Sequence, residues 1–395
     1  MKFLKKNLLI QIVIAIGLGS VLGNYLPESI GRIFSTFNSI FGGFLGFSIP
    51  LIIIGLIVPA IGNIGKNAGK LLLITTGIAY GSTLFAGFVS YGVSIATFPN
   101  ILSLGQLGDV AESTKNLAPY FNIEMPPMFD VMSALIISFI LGIGISKGDF
   151  KYLEGVFNDF QNIIMSLINK AIIPFLPLFI FGIFLNMTYN GQVYVVLGTF
   201  LKIIGVIFVL HIFVLLFQYV IAGMISKQNP FELMKNMLPA YFTALGTQSS
   251  AATIPVTLEQ TLKNNVSPKI AGFTIPLCAT IHLSGSTLKI VACAIALMLV
   301  QGQSIDFTVM VGFIFMLGIA MVAAPGVPGG AIMASLGVLA SILGFDTEQQ
   351  SLMIALYIAM DSFGTACNVM GDGAIAIIVN KISKNTTEAE TISAS

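Results

Sequence analysis

"IAMDSFGTACNVMGDGAIAIIVNK" runs from Ile358 to Lys381, and its length and apolar content predict a helix that crosses a membrane. Two aspartates, Asp361 and Asp372, nevertheless lie within it, with Thr365 and Asn368 between them. At about 100° and 1.5 Å per residue, positions 361, 365, 368 and 372 fall in a sector of roughly 60° over about 16 Å of rise. One face therefore reads Asp, Thr, Asn, Asp, while Ile375, Ile377 and Ile378 continue the apolar part. An intramembrane aspartate costs about 2.5–3.5 kcal/mol even on permissive insertion scales, so two on one stripe need partners. Hard oxygen ligands without clustered cysteine or histidine suit an alkali or alkaline-earth cation, not zinc. An organic ammonium is the other natural partner, and a buried polar network that only joins helices is the bland alternative. No intramembrane arginine is available, so the two carboxylates are expected to wait for a ligand.

The rest of the chain sets this helix in context. Of 395 residues, 9% are charged and 56% are apolar, where a soluble protein carries roughly a quarter charged. The chain is read as a polytopic membrane protein. A formal net charge of +1 gives no reason to expect nucleic acid. Cys278, Cys293 and Cys367 lie inside apolar segments at irregular spacing, which suggests neither a disulfide framework nor a zinc site. The basic start "MKFLKK" leads into an apolar run long enough to stay as a first helix.

Six apolar stretches, near 7–26, 35–62, 69–97, 130–147, 155–189 and 193–226, read as helices, the fifth interrupted by Pro174 and Pro177. Two further long helices, near 268–300 and 347–380, are each preceded by a stretch broken by Gly and Pro. Those stretches are 233–262, with "TALGTQSSAATIPVTLEQ" at its centre, and 307–343, with "MVAAPGVPGGAIMASLGV". With both termini inside, Lys2, Lys5, Lys6, Lys66, Lys70, Lys147, Lys151, Lys227, Lys235, Lys263, Lys269, Lys381 and Lys384 fall on the cytoplasmic side. That is 13 of the 18 basic residues, as the positive-inside rule asks. The count works only if each interrupted stretch enters and leaves on one side, as a re-entrant hairpin; two tilted helices with proline kinks are the alternative. Non-helical backbone is tolerated at membrane depth only when buried in protein or lining a watered cavity. Paired interruptions in a repeated unit point to a transporter's binding site. The repeat here is hairpin then helix, twice, with halves entering from opposite sides and so inverted.

Three motifs, "TQSSAATIPVT" (247–257), "PGVPGG" (325–330) and "MDSFGTACNVMGD" (360–372), resemble those of the dicarboxylate/amino acid:cation symporters, the glutamate-transporter-like family. The resemblance covers essentially the whole chain. It implies an all-α fold of eight transmembrane helices and two re-entrant helical hairpins, working as a homotrimer in the lipid bilayer of the plasma (cell inner) membrane. It further implies a fixed scaffold of helices 1–2 (1–66) and helices 4–5 (98–190). Helix 3 (67–97) and residues 191–382 would form a transport domain that slides like an elevator, and 383–395 a disordered cytoplasmic tail.

Carried over by position, Asp361 resembles the family aspartate that holds a substrate's α-ammonium, with Thr365 and Asn368 as polar neighbours and Gly364 beside them. Ser249 and Ser250, with N–H groups of the first hairpin, would hold the α-carboxylate, since the mouth of a half-helix favours an anion. Val327, Pro328 and Gly329 would close over the substrate as part of the outer gate. Asp372 and Asn368, with the seventh helix near Cys278, Thr280 and His282, resemble a sodium site.

The departures carry information too. Acidic-substrate members have an arginine at the position of Gly364, or in the first hairpin where this chain has Gln248, and C4-dicarboxylate members lack the aspartate of position 361. The chain has the opposite combination, which implies a neutral amino acid and room at Gly364 for a side chain beyond alanine. The family's Asn-Met-Asp-Gly becomes "HLSG", His282 to Gly285, so Ser284 replaces a sodium-binding aspartate, and Thr75, Ile78 and Ala79 lack most of the usual oxygens. One sodium site is expected to be missing. The second hairpin tip is also a residue shorter than the family's Gly-Val-Pro-Gly-Ala-Gly.

His282 reads either as a proton carrier in place of Na⁺ or as a neutral histidine in a hydrogen-bond network. Lys289 reads as a fixed or switchable positive charge, or as a side chain snorkelling to the outer interface; His211 reads as structural. The expectation is a non-enzymatic symporter for a serine-, threonine- or alanine-like substrate, driven by one or two Na⁺, with H⁺ as an optional further coupling ion. An acidic amino-acid or C4-dicarboxylate carrier is the alternative, and an ion channel is further off. An intramembrane hydrolase is disfavoured, because Asp361 and Asp372 lie about 16 Å apart along the helix, too far to share a proton.

Overall fold

The computed structural model describes residues 8–66, 70–105, 117–191 and 193–393, and every regular element among them is helical. α1 (Leu8–Leu22), α2 (Glu28–Lys66), α3 (Lys70–Ile101) and α4 (Val131–Lys147) come first. α5 (Lys151–Leu167) passes through a π-helical turn, Ile168–Ile172, into α6 (Ile173–Tyr189), and α7 (Val193–Ser226) follows. The first interrupted stretch forms α8 (Pro230–Asn236), α9 (Leu238–Thr247) and α10 (Ser250–Lys263). The seventh helix is split into α11 (Pro268–Ile281) and α12 (Ser284–Val300). The second hairpin is α13 (Phe307–Ala323) with α14 (Gly330–Leu343), and the last helix is split into α15 (Thr347–Ala359) and α16 (Asp361–Ser393). Among the described residues, six stretches are long and apolar enough to cross a bilayer, with α1 and α4 as shorter apolar helices. This is the all-α polytopic fold with two hairpins that the sequence implies.

The prolines of the fifth helix do not break it. The rod from Lys151 to Tyr189 absorbs them in the π-helical turn just ahead of Pro174, the usual way an extra residue relieves a helix. At the other end of the chain, α16 continues to Ser393, into the tail expected to be disordered. Residues 394–395 lie outside the described residues, as do Lys2, Lys5 and Lys6.

Local chemistry sets the breaks that matter. Asn229 caps α8 by accepting from Phe231 N, and Ser249 caps α10 by accepting from Ala252 N. Gln248, between α9 and α10, takes a left-handed φ of 54°, a conformation rarely adopted outside glycine, which reverses the chain at the hairpin tip. Asp306 caps α13, and Asp346 with Gln349 forms a capping box on α15, the reciprocal arrangement that satisfies two orphan donors.

Between lipid-facing helices the hydrophobic effect gives no drive, so close packing and polar contacts hold the assembly. α2 lies mainly along α4, and α1 along α6; α12 lies along α3, and α16 is surrounded by α7 and α9–α12. The apolar windows of Pro268–Val300 and Asp361–Ser383 are both 94% buried, against 33% for Leu71–Ile101. The two split helices are therefore the centre of the molecule. They approach at backbone distance: a Cβ on Gly285 would sit 2.6 Å from the Gly364 carbonyl oxygen, so only glycine permits it.

Candidate functional site

The two hairpin tips meet beside the middle of the split helices. Ser249 Oγ donates to the Gly326 carbonyl at 2.7 Å, and Ala251 N donates to the same oxygen at 3.3 Å. Gln248 Nε2 donates to Ser362 Oγ at 3.0 Å, which ties the first tip to the start of α16. Gly329 N donates to Asp361 Oδ2 at 2.8 Å, which ties the second tip to the same turn. Asp361 thus stands at an N-terminal helix end, where the dipole favours a carboxylate, and under both tips. It is 3% exposed.

The other carboxylate oxygen meets a cation. Lys289 Nζ lies 3.4 Å from Asp361 Oδ1 and 3.3 Å from the Met360 carbonyl, and sits 3.7 Å over the Tyr357 ring. Lys289 is fully buried. A Cβ on Gly364 would collide with both Nζ and Cε of this lysine. Three expectations are corrected here. Asp361 does not wait without a protein counter-charge, because a lysine from α12 supplies one. Lys289 does not snorkel, because its stem crosses Gly364 and its ammonium has three partners inside the protein. Gly364 does not leave open room, because the lysine fills it.

Nearby, Gly285 N donates to Asn368 Oδ1 at 2.8 Å, and Asn368 Nδ2 donates to Ser286 Oγ at 3.1 Å, which lies 2.9 Å from Tyr357 OH. Asn368 thereby fills a free N–H at the start of α12 and joins it to α16. Thr365 is buried on the same face.

One helical turn past Asn368, Asp372 Oδ1 lies 2.9 Å from His282 Nδ1. His282 Nε2 lies 3.1 Å from Ser82 Oγ, and Gln218 Nε2 donates to Ser82 Oγ at 2.9 Å and to Ser284 Oγ at 3.2 Å. A carboxylate only accepts, so Nδ1–H is the donor to Asp372, while Nε2 shares a hydrogen bond with a serine hydroxyl that itself accepts from the glutamine. Asp372, too, was expected to lack a protein partner, and His282 is that partner. Cys278 contributes its backbone carbonyl, which accepts from His282 N at 2.9 Å. The Thr280 side chain, expected in the cation site, is engaged otherwise. Its hydroxyl donates to the Leu277 carbonyl at 2.8 Å, and it lines a cavity of about 400 Å³ beside Pro325 and Gly326. His211 Nε2 lies 3.3 Å from the Gly285 carbonyl and is buried.

Broken helices meeting near the middle of the protein are the pattern of a transporter's binding site, and a family model agrees. The sodium:dicarboxylate symporter family model matches residues 8–382. The chain belongs to that family. The symporter is 26% identical over 391 residues to a serine/threonine transporter of Acinetobacter baumannii, covering 94% of this chain and 95% of that protein. It is 30% identical over 276 residues to the human excitatory amino acid transporter 2, covering 67% of this chain and 46% of that one. Over a shorter stretch of 160 residues it is 34% identical to the mouse excitatory amino acid transporter 5, covering 40% of this chain and 28% of the relative.

Several of the symporter's site residues carry no motif signal. Ser82 is one hydroxyl in a long apolar helix, and Gln218 is an isolated amide in α7. Both were recoverable only as polar residues inside apolar runs, which in a membrane are expensive and therefore partnered. Tyr357 has a polar tip and an aromatic face, and nothing in the sequence says that the face carries a lysine.

Proposed function

We propose that this symporter takes up a neutral amino acid, serine, threonine or alanine first, together with one or two Na⁺ and H⁺. Asp361 would receive the α-ammonium, with Thr365 and Asn368 as neighbours. Ser249, Ser250 and N–H groups of the first hairpin would hold the α-carboxylate, and Val327, Pro328 and Gly329 would shut over it. The observation that carries this is the position of Asp361: one carboxylate, 3% exposed, bonded to the second hairpin tip in the turn to which the first is tied. A molecule bound there touches both gates. The serine/threonine transporter relative supports the substrate class.

Na⁺ as co-substrate would use Asp372, Asn368 and backbone carbonyls near Cys278 and His282. Ser284 in place of an aspartate supports a reduced sodium count, and His282 on Asp372 supports a proton as the other ion. One net charge moving inward across 100 mV releases about 2.3 kcal/mol, roughly a forty-fold concentration ratio, so a reduced stoichiometry suffices. α1, α2 and α4–α6 would serve as the scaffold, and α3 with α7–α16 as the sliding body, in each protomer of a homotrimer in the plasma membrane with cytoplasmic termini.

A second substrate class has its own support. Acidic-substrate members were expected to differ by an arginine at the Gly364 position, and Lys289 brings an ammonium to that place from another helix. Together with the excitatory amino acid transporter relatives, this favours testing aspartate and glutamate beside the neutral amino acids. The test is uptake into proteoliposomes of a labelled amino-acid panel, with sodium and proton gradients imposed separately. Serine or threonine uptake that aspartate does not compete supports the first reading. Uptake competed chiefly by aspartate or succinate replaces it.

A further inference from the structure

In the neutral amino-acid cycle proposed first above, Lys289 has no part, although its ammonium occupies the place that cycle gives to the substrate's. Its ammonium lies on Asp361 Oδ1 while Gly329 N holds Oδ2, and the hairpin tips are closed on each other through Ser249 and Gly326. Asp361 and Lys289 are both buried. The site is thus shut around an internal ion pair, as it would shut around a bound ammonium.

The contacts suit an exchangeable partner. Distances of 3.4 and 3.3 Å to Asp361 and Met360 are long beside the roughly 2.7–2.9 Å of a tight charge-assisted bond. The Tyr357 face at 3.7 Å gives the ammonium somewhere to remain when the carboxylate is taken. Gly364 lacks the Cβ that would block the lysine stem.

A carrier that has released its substrate must move its binding site back across the bilayer, and an unpaired carboxylate there is penalised. We propose that Lys289 is a tethered substitute for the substrate's ammonium. It neutralises Asp361 in the substrate-free carrier, so the hairpins close and the empty carrier returns without a counter-transported cation, and an arriving amino acid displaces it. This rests on the amino-acid reading of Asp361 above.

The test separates exchange from net uptake in proteoliposomes, with labelled serine as the probe. Wild-type protein in vesicles filled only with N-methyl-D-glucamine chloride, with Na⁺ outside, is expected to show net uptake. Lys289→Met is expected to keep exchange against internal unlabelled serine, with Na⁺ on both sides, because that cycle never needs the empty carrier. Its net uptake should fall on the order of a hundredfold, the rate equivalent of one uncompensated intramembrane charge.

Unchanged net uptake by Lys289→Met would overturn the proposal. So would loss of exchange as well as net uptake in a variant that elutes like the wild type. If the variant does not fold, the wild-type arm still decides: net uptake that requires internal Na⁺, K⁺ or amino acid overturns the tethered-cation role. A wild-type protein that exchanges none of the amino acids in a full panel removes the amino-acid reading itself, and this role with it.

Discussion

Replacing Asp361 by asparagine tests the buried pair directly, because the side-chain shape is kept and one charge is lost. An asparagine at 361 can still accept from Gly329 N, now at 2.8 Å. Lys289, fully buried, is left with the Met360 carbonyl at 3.3 Å and the Tyr357 ring at 3.7 Å. Breaking a buried pair by removing one partner costs about 3–5 kcal/mol, whereas replacing both partners with neutral groups is often neutral or stabilising. Asp361→Asn should therefore unfold in detergent about 3–5 kcal/mol more easily than wild type, and Asp361→Asn/Lys289→Met should return to within about 1 kcal/mol of it. If Lys289→Met alone costs as much as Asp361→Asn, the four proteins of the cycle, compared by denaturant or thermal unfolding without amino acid, give a coupling energy of about 5–10 kcal/mol, above the usual range of about 0.5–3 kcal/mol. Uptake should be absent from both Asp361 variants, including the one whose stability is restored, since stability and substrate binding depend on the same carboxylate for different reasons. An Asp361→Asn protein that transports with wild-type KM would refute the ammonium site. A double variant no more stable than the single would refute the pair.

Three further outcomes follow from the same geometry. Gly364→Ala should gain about 1 kcal/mol of helix propensity, but its Cβ would collide with Nζ and Cε of Lys289, so the fully buried lysine must shift from Asp361; net destabilisation in the unfolding assay is expected, and net stabilisation would show that the lysine does not need that space. Ser249→Ala removes both the cap of α10 and the bond to Gly326, so about 0.5–2 kcal/mol of stability should be lost; a cysteine placed at Val327 should be labelled faster, and an unchanged labelling rate would show that Ser249 is no latch. Ser82→Ala strips His282 Nε2 of its partner and should cost about 1–3 kcal/mol. Because His282 holds Asp372, it should also shift the Na⁺ concentration for half-maximal uptake, and an unaltered sodium dependence would separate His282 from the cation site.

Much of the fold was legible because membrane helices announce themselves. Long apolar runs, lysines at their ends, and Gly/Pro interruptions at Gly246 and Pro255 and over 325–330 are local signals, each set by the cost of unsatisfied backbone in oil. The polar stripe was legible for the same reason: 361, 365, 368 and 372 share a face by helical period alone. Pairing was the hidden part. Lys289 and Asp361 are 72 residues apart, and His282 and Asp372 are 90 apart, so neither distance follows from periodicity. The breaks at His282–Leu283 and Met360 were hidden too, since "TIHLSG" and "IAMDSF" carry neither proline nor a run of glycines.

The two pairs still obey a rule that the sequence contains. The central split helices present two acids, Asp361 and Asp372, and two groups that bear or share a proton, Lys289 and His282. One pair lies on each side of the Gly285 N–Asn368 bond. Lys289 has 0% exposure, and a charge buried so deeply needs an opposite charge beside it, which the burial and not the sequence reveals. Treating it as a snorkelling side chain removed the counter-charge and made Asp361 look empty. The consequence reaches beyond one residue. A carboxylate without a partner would make substrate the only thing able to close the site. A carboxylate with a displaceable partner lets the site close in two ways, and the apparent affinity for substrate falls by the fraction of carriers in which the lysine holds the place. Selectivity is then set by how well a ligand's ammonium competes with Lys289 as well as by how well its side chain fits beside Gly364. Lengthening or shortening the basic side chain at 289 should accordingly shift the affinities for serine, threonine and alanine together rather than reorder them.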